Sequence, residues 1–271
     1  MRRIGVVLLV ATLLAGCFVP SRAALPFRAA VPARAASPPR YRVLHLSRGA
    51  SRPLETVVWS PAGHGRHPVV LFSHGLGGLP AQFAPLAAVW VAAGFVVVAP
   101  TYPHTNGKIK INPADVRHQP ADAEFVLRSL AGDPSVDVGH VIAVGFSAGG
   151  TTTLGLLHPG HWPGLVAAVS IAGRRPSSPF GGSPVPVLFV HGDLDRVVPL
   201  AAGRAAYAAL PARWPKTFLV VPGGRHGDYL NPGNPAYPRV SSAILDFLTQ
   251  SEFAPAEDGP FGRVNTDSNV A

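Results

Sequence analysis

Short, continuous apolar runs alternate through this chain with longer segments in which apolar residues recur every three or four positions. Val69-Val70-Leu71-Phe72, Phe95-Val96-Val97-Val98-Ala99, Val141-Ile142-Ala143-Val144 and Pro186-Val187-Leu188-Phe189-Val190 are runs of the first kind, as are residues 165–171 and 217–221. Such runs, without polar alternation, predict strands buried on both faces. Helices are predicted over residues 81–93, ending at Gly94, and over 115–130, with Val116, Ala123, Val126, Leu127 and Leu130 inward. Further helices are predicted from 148 to about 158, over 200–210 and over 240–249. Arg42-Val43-Leu44-His45-Leu46 and Glu55-Thr56-Val57-Val58-Trp59 read as two early strands around Gly49-Ala50-Ser51. Alternation of this kind predicts an α/β fold, a mostly parallel twisted sheet with helices on both faces. It forms one domain over residues 41–250. Between Gly173 and Val185 lie about a dozen residues, too few for a large cap domain.

Composition changes the picture mainly at the ends. The 271 residues are 47% hydrophobic, so the bulk is globular. The net charge of +9 would suggest a nucleic-acid partner if it were spread over the fold. It is not. Nine of the 23 basic residues and none of the 14 acidic ones precede Glu55, and the other 14 basic residues match the acidic ones in number. The domain is formally neutral, and nucleic-acid binding loses its support.

The basic start has its own pattern. Arg2-Arg3 and the apolar residues 4–14 form the positive and hydrophobic regions of a signal peptide over residues 1–16, too short to span a membrane. Leu14-Ala15-Gly16-Cys17 follows. It resembles the lipobox of bacterial lipoproteins, which implies export to the cell envelope and acylation of Cys17, with palmitate-type chains, as a membrane anchor. An ordinary signal peptide with an incidental cysteine is the alternative. Cys17 is the only cysteine, so no disulfide within the chain is possible. Residues 17–40 form a linker rich in Arg, Pro and Ala, read either as a solvated tether or as a basic segment attracted to anionic headgroups. Residues 251–271 read as a flexible acidic tail.

The candidate chemistry sits where strands end. Gly145-Phe146-Ser147-Ala148-Gly149 places a serine between a buried strand and a helix, with glycine two residues away on each side. This is the nucleophile-elbow pattern: the turn is sharp, and side chains at the flanking positions would collide with neighbouring backbone. Two more strand ends carry Asp195 and His226. The order Ser, Asp, His is that of α/β-hydrolase triads.

Here the resemblance becomes specific. Residues 41–250 resemble an α/β hydrolase. His191-Gly192-Asp193-Leu194-Asp195-Arg196-Val197-Val198-Pro199 is similar to the family's acid loop, and Gly223-Gly224-Arg225-His226 to its histidine loop. Phe72-Ser73-His74-Gly75-Leu76-Gly77-Gly78 resembles the oxyanion loop of platelet-activating-factor acetylhydrolases and bacterial dienelactone-hydrolase-like proteins. His118-Gln119-Pro120-Ala121-Asp122 resembles a helix of the same relatives. True dienelactone hydrolases use cysteine as nucleophile, and this chain has serine. The resemblance implies Ser147 as nucleophile, His226 as base, Asp195 as its orienting acid, and the amides of Leu76 and Ala148 as the oxyanion hole. Asp193 is the rival acid, read as capping a turn. His74 and Phe146 are candidate substrate contacts, with a supporting role in the loop the stronger reading for His74.

The remaining histidines read as structural: His104 and His118 as solvent-exposed or loop-bonded, His158 and His161 as a polar cap after the elbow helix. None shows metal-ligand spacing, and no metal or other cofactor is expected. The expectation is an exported serine carboxylesterase acting on short-chain or lipid-type esters. The alternatives are a serine acyltransferase or peptidase on the same triad, or a non-catalytic envelope protein that binds through the fold.

Overall fold

The computed structural model describes residues 39–253. The expected signal peptide, Cys17 and the expected linker up to residue 38 lie outside the described residues, as does the expected tail from residue 254.

The sheet has eight strands: β1 (Arg40–Ser47), β2 (Pro53–Ser60), β3 (His67–Ser73), β4 (Val96–Pro100), β5 (Val136–Phe146), β6 (Leu165–Ile171), β7 (Val187–Gly192) and β8 (Lys216–Val221). Their order is β1-β2-β4-β3-β5-β6-β7-β8. β1–β2 and β2–β4 pair antiparallel, and every pairing from β4 to β8 is parallel. The parallel part is thus a six-stranded core with an antiparallel hairpin on one edge.

Alternate residues of each central strand serve two apolar layers. Val69, Leu71, Val141 and Ala143 face one layer with α2 (Gln119–Leu130), α3 (Ala148–Gly155) and α4 (Leu200–Ala209). Val70, Phe72, Ile142 and Val144 face the other, with α1 (Ala84–Ala92) and α5 (Tyr237–Phe253). A strand apolar on both faces is stable only between two such layers. The 15 residues from β6 to β7 hold no helix or strand, so no cap domain is inserted there.

Several boundaries differ from expectation. The first and second helices each open with a 3-10 segment, Pro80–Phe83 and Pro113–His118, before the α-helix proper. Val116 falls in the second of these and is only half-buried, whereas Asp115 is buried. Ion pairing explains the exchange: Arg52, on the turn between β1 and β2, donates to both Asp115 and Asp122, and Arg48 donates to Asp122. The helix after the elbow ends at Gly155, before His158. His158 bonds Glu124 and the Pro159 carbonyl, and His161 bonds the carbonyls of Trp162 and Ser183, so neither caps it. The closing helix takes in Ser251, Glu252 and Phe253, which the tail was expected to hold.

Candidate active site

The elbow is built by close backbone approaches. A β-carbon at Gly145 would lie 2.2 Å from the Gly149 carbonyl oxygen, and one at Gly149 would lie 1.9 Å from that of Ser73. Ser147 sits at φ 56°, ψ −116°, a conformation that side-chain-bearing residues rarely adopt. Its amide donates to Ile171 O on the neighbouring strand at 2.8 Å, which holds the strained turn in place.

Three strand ends then converge. The Ser147 hydroxyl lies 2.9 Å from His226 Nε2, and His226 Nδ1 lies 2.8 Å from Asp195 Oδ2. A carboxylate only accepts, so Nδ1 carries the proton and Nε2 accepts from the serine. The Asp195 side chain is fully buried, and that of His226 is 19% exposed. The other carboxylate oxygen, Oδ1, accepts from the amides of Val197 and Val198, each at 2.9 Å. Those bonds hold the acid's orientation from within its own loop, independently of His226.

The acid and histidine loops are stitched to each other. Leu194 N donates to Gly224 O, and Gly223 N donates to Asp193 Oδ1 at 2.7 Å. Asp193 therefore braces the two loops and does not touch His226. Asp228 accepts from Arg225 N inside the histidine loop. Phe146 packs beside His226 with ring centroids 4.9 Å apart. Gly227, at φ 70°, leaves room for this: a β-carbon there would lie 2.4 Å from the Phe146 ring.

The oxyanion loop lies against the elbow. A β-carbon on Gly75 would be 3.3 Å from Ser147 Cβ. The amides of Leu76 and Ala148 donate to no acceptor among the described residues. His74 is a correction to its reading as a substrate contact. It is wholly buried; Nδ1 donates to Gly75 O at 2.8 Å and Nε2 accepts from Tyr102 N at 3.1 Å. Burial lowers its pKa, which matches the neutral ring those bonds require. Ser73 and Tyr102 share a further hydroxyl–hydroxyl bond of 2.8 Å.

Four residues to which the sequence assigned no role, Tyr102, Thr105, Gln119 and Thr152, complete the support. Gly77 N donates to Thr105 O at 2.7 Å. Gln119 Nε2 donates to Thr105 Oγ1 at 2.8 Å, and Gln119 Oε1 accepts from Thr152 Oγ1 on α3. Thr105 and Tyr102 lie in the segment 101–112, whose first half is buried and second half exposed. The sequence does carry one signal for this network: Gln119 and Asp122 are polar residues on the inward face of α2. Their partners lie far along the chain. His104 bonds Ser51 O, and His118 is exposed beside Arg117. Among the described residues no group of three or more His, Cys, Asp or Glu is arranged to hold a metal ion.

This fold with this strand-end constellation defines a hydrolase class, and comparison with known proteins gives the family. Residues 54–242 match the dienelactone hydrolase family, and the chain belongs to it. Its eight-stranded, mostly parallel sheet is that of an α/β-hydrolase fold. The chain is 34% identical over 181 residues to a protein of Nocardia uniformis subsp. tsuyamanensis named "Putative esterase NocK", covering 62% of this chain and 49% of that protein. The chain thus spans about half the length of this curated relative. Among solved structures it resembles Thermogutta terrifontis esterase 2 phosphonylated by cyclosarin, with TM-score 0.64 and 21% identity over 79% of this chain and 95% of that one. It also resembles a puromycin-hydrolysing peptidase of Mycobacterium tuberculosis, with TM-score 0.66 and 21% identity over 79% of this chain and 40% of that one. At such identity these two likenesses speak to the fold alone.

Proposed function

We propose that the protein is an exported, lipid-anchored serine carboxylesterase that cleaves short acyl esters through an acyl-enzyme on Ser147. The observation that carries this reading is the unbroken hydrogen-bonded line from Ser147 through His226 to Asp195. His226 Nε2 takes the hydroxyl proton as Ser147 Oγ bonds to the ester carbonyl carbon. Asp195 stabilises the imidazolium through Nδ1. The amides of Leu76 and Ala148 are free to hold the oxyanion, and Ala148 adds the favourable N-terminus of α3. His226 then returns the proton to the leaving alcohol. Water, activated the same way, releases the acid.

Short acyl groups are favoured because no cap is inserted between β6 and β7 to wall a long acyl tunnel. The likeness of the 72–78 loop to platelet-activating-factor acetylhydrolases leans the same way. Thermogutta terrifontis esterase 2, similar in fold, has been solved with propionate and with butyrate bound. Export and the anchor rest on the sequence Leu14-Ala15-Gly16-Cys17. The test is a panel of p-nitrophenyl esters from acetate to palmitate, run beside Ser147→Ala and with fluorophosphonate labelling. Turnover of short esters and labelling, both absent in Ser147→Ala, support the reading. A wild-type chain that neither labels nor turns over any ester rejects it.

A further inference from the structure

Among the described residues, large apolar side chains are exposed at seven positions. Tyr41 and Val43 belong to the edge strand β1. The other five are Leu76, Ile109, Ile111, Leu194 and Val197, between 41% and 64% exposed. They stand on the loops that follow β3, β4 and β7. Those strands are parallel, so all three loops leave the same edge of the sheet as Ser147. In sheet order β4 and β3 lie on one side of the elbow strand and β7 on the other, so the apolar residues flank the catalytic serine from both sides.

Basic residues are interleaved with them. Residues 108–111 read Lys-Ile-Lys-Ile, and Arg196 stands between Leu194 and Val197. Lys110, Arg174, Arg175, Arg196 and Arg225 are exposed, lie on loops at this same edge, and form no ion pair with any described residue. An isolated exposed Leu needs no explanation, but five on the loops of one sheet edge, on both sides of Ser147, do. Apolar tips alternating with unpaired cations match one kind of surface: anionic headgroups above an acyl layer.

We propose that this edge of the domain docks on an anionic phospholipid surface, with Leu76, Ile109, Ile111, Leu194 and Val197 entering the headgroup boundary and the five cations meeting lipid phosphates. The inference extends the proposed function by presenting Ser147 to esters held at a membrane. Docking needs no chemistry, so it stands or falls apart from the catalytic reading.

The test is co-sedimentation of the full chain with vesicles of phosphatidylcholine alone, or with about one third phosphatidylglycerol. All variants carry Cys17→Ser, so an acyl anchor contributes nothing. Docking predicts binding to the anionic vesicles, weakened by salt, equal in Ser147→Ala and unchanged by Tyr41→Ser on β1. Ile109→Ser with Lys110→Gln, and separately Arg174→Gln with Arg175→Gln, lower the partition constant by about tenfold or more. Both leave hydrolysis of a dissolved butyrate ester unchanged. The proposal is overturned if the parent ignores anionic vesicles, as it would if this face met another protein. It is equally overturned if the variants bind as the parent does, or if they lose activity on the dissolved ester with vesicle binding intact.

Discussion

Gln119 accepts a hydrogen bond from Thr152, so a side chain on α2 is tied to the helix that begins just after Ser147. The same amide group reaches the other way, donating to Thr105, whose carbonyl receives Gly77 N of the oxyanion loop. One buried side chain therefore spans the two segments that supply Leu76 N and Ala148 N. Oxyanion donors work only when held at the distance the developing charge needs.

Gln119→Leu removes both bonds while keeping approximate volume. The expected result is a fall in kcat of about 10- to 100-fold, short of the 10²–10³ typical of losing a donor outright, with KM little changed. Affinity for a boronate transition-state analogue should fall in parallel. A rise in KM with kcat intact would mean that Gln119 serves substrate binding instead.

Ser147→Ala and His226→Ala should abolish ester hydrolysis and leave thermal unfolding close to wild type. Asp195→Asn should lower kcat by about 10⁴-fold, because the histidine loses its tautomer control. Asp193→Asn should cost far less, since Asp193 braces Gly223 N and does not meet His226. Steady-state rates for the four variants check this, and equal losses in the two aspartate variants would contradict it.

Arg52→Leu should destabilise the fold by about 3–5 kcal/mol, because the fully buried Asp122 carboxylate loses its main partner. The Arg42–Asp133 pair is a contrast: it is partly exposed, and Arg42→Leu should change stability by no more than about 1 kcal/mol. Urea unfolding of both variants measures the difference.

Stability should fall on mild acidification. Burial lowers the pKa of His74 and of His191, against smaller opposing effects from their backbone hydrogen bonds. The unfolded chain takes up these protons near an ordinary histidine value of about 6.5, while the folded protein does so only at lower pH. Their contribution is thus complete above about pH 6.5 and is lost as pH drops from there toward the folded-state values. His140 has the opposite sign, since Asp137 raises it. Melting temperature against pH should lose part of its slope below 6.5 in His191→Gln; an unchanged slope would assign the acid sensitivity elsewhere.

Among the described residues no helix or strand lies between β6 and β7 to form a large lid that could switch at an oil–water boundary. Rates on neutral esters should saturate normally, with no jump as butyrate or palmitate esters pass their solubility limits. A sharp rise there, with palmitate preferred, would point to a lid-gated lipase.

The order of elements and the fold class were legible in the sequence for a simple physical reason. Runs such as Val141-Ile142-Ala143-Val144 can be buried on two faces only in a parallel sheet between helices. The elbow was legible too, because Gly145 and Gly149 report local backbone crowding that any such turn must have. The sequence also set the order of Ser147, Asp195 and His226 and the strand ends that carry them.

What tertiary structure alone decided are contacts between residues far apart in the chain. Val116 was expected inward, yet it is Asp115 that is buried; Arg52, 63 residues upstream of Asp115, supplies the buried charge partner that allows this. His74, on a strand-end loop, reads in sequence as a supporting residue or a substrate contact, and only the position of Tyr102 settles it as a buried brace. Gln119, Thr105 and Thr152 show no common pattern along the chain. Hydrophobic periodicity records which face of an element is dry, but not which buried polar group will meet which. That pairing depends on where the elements come to rest, so it exists only in the folded molecule.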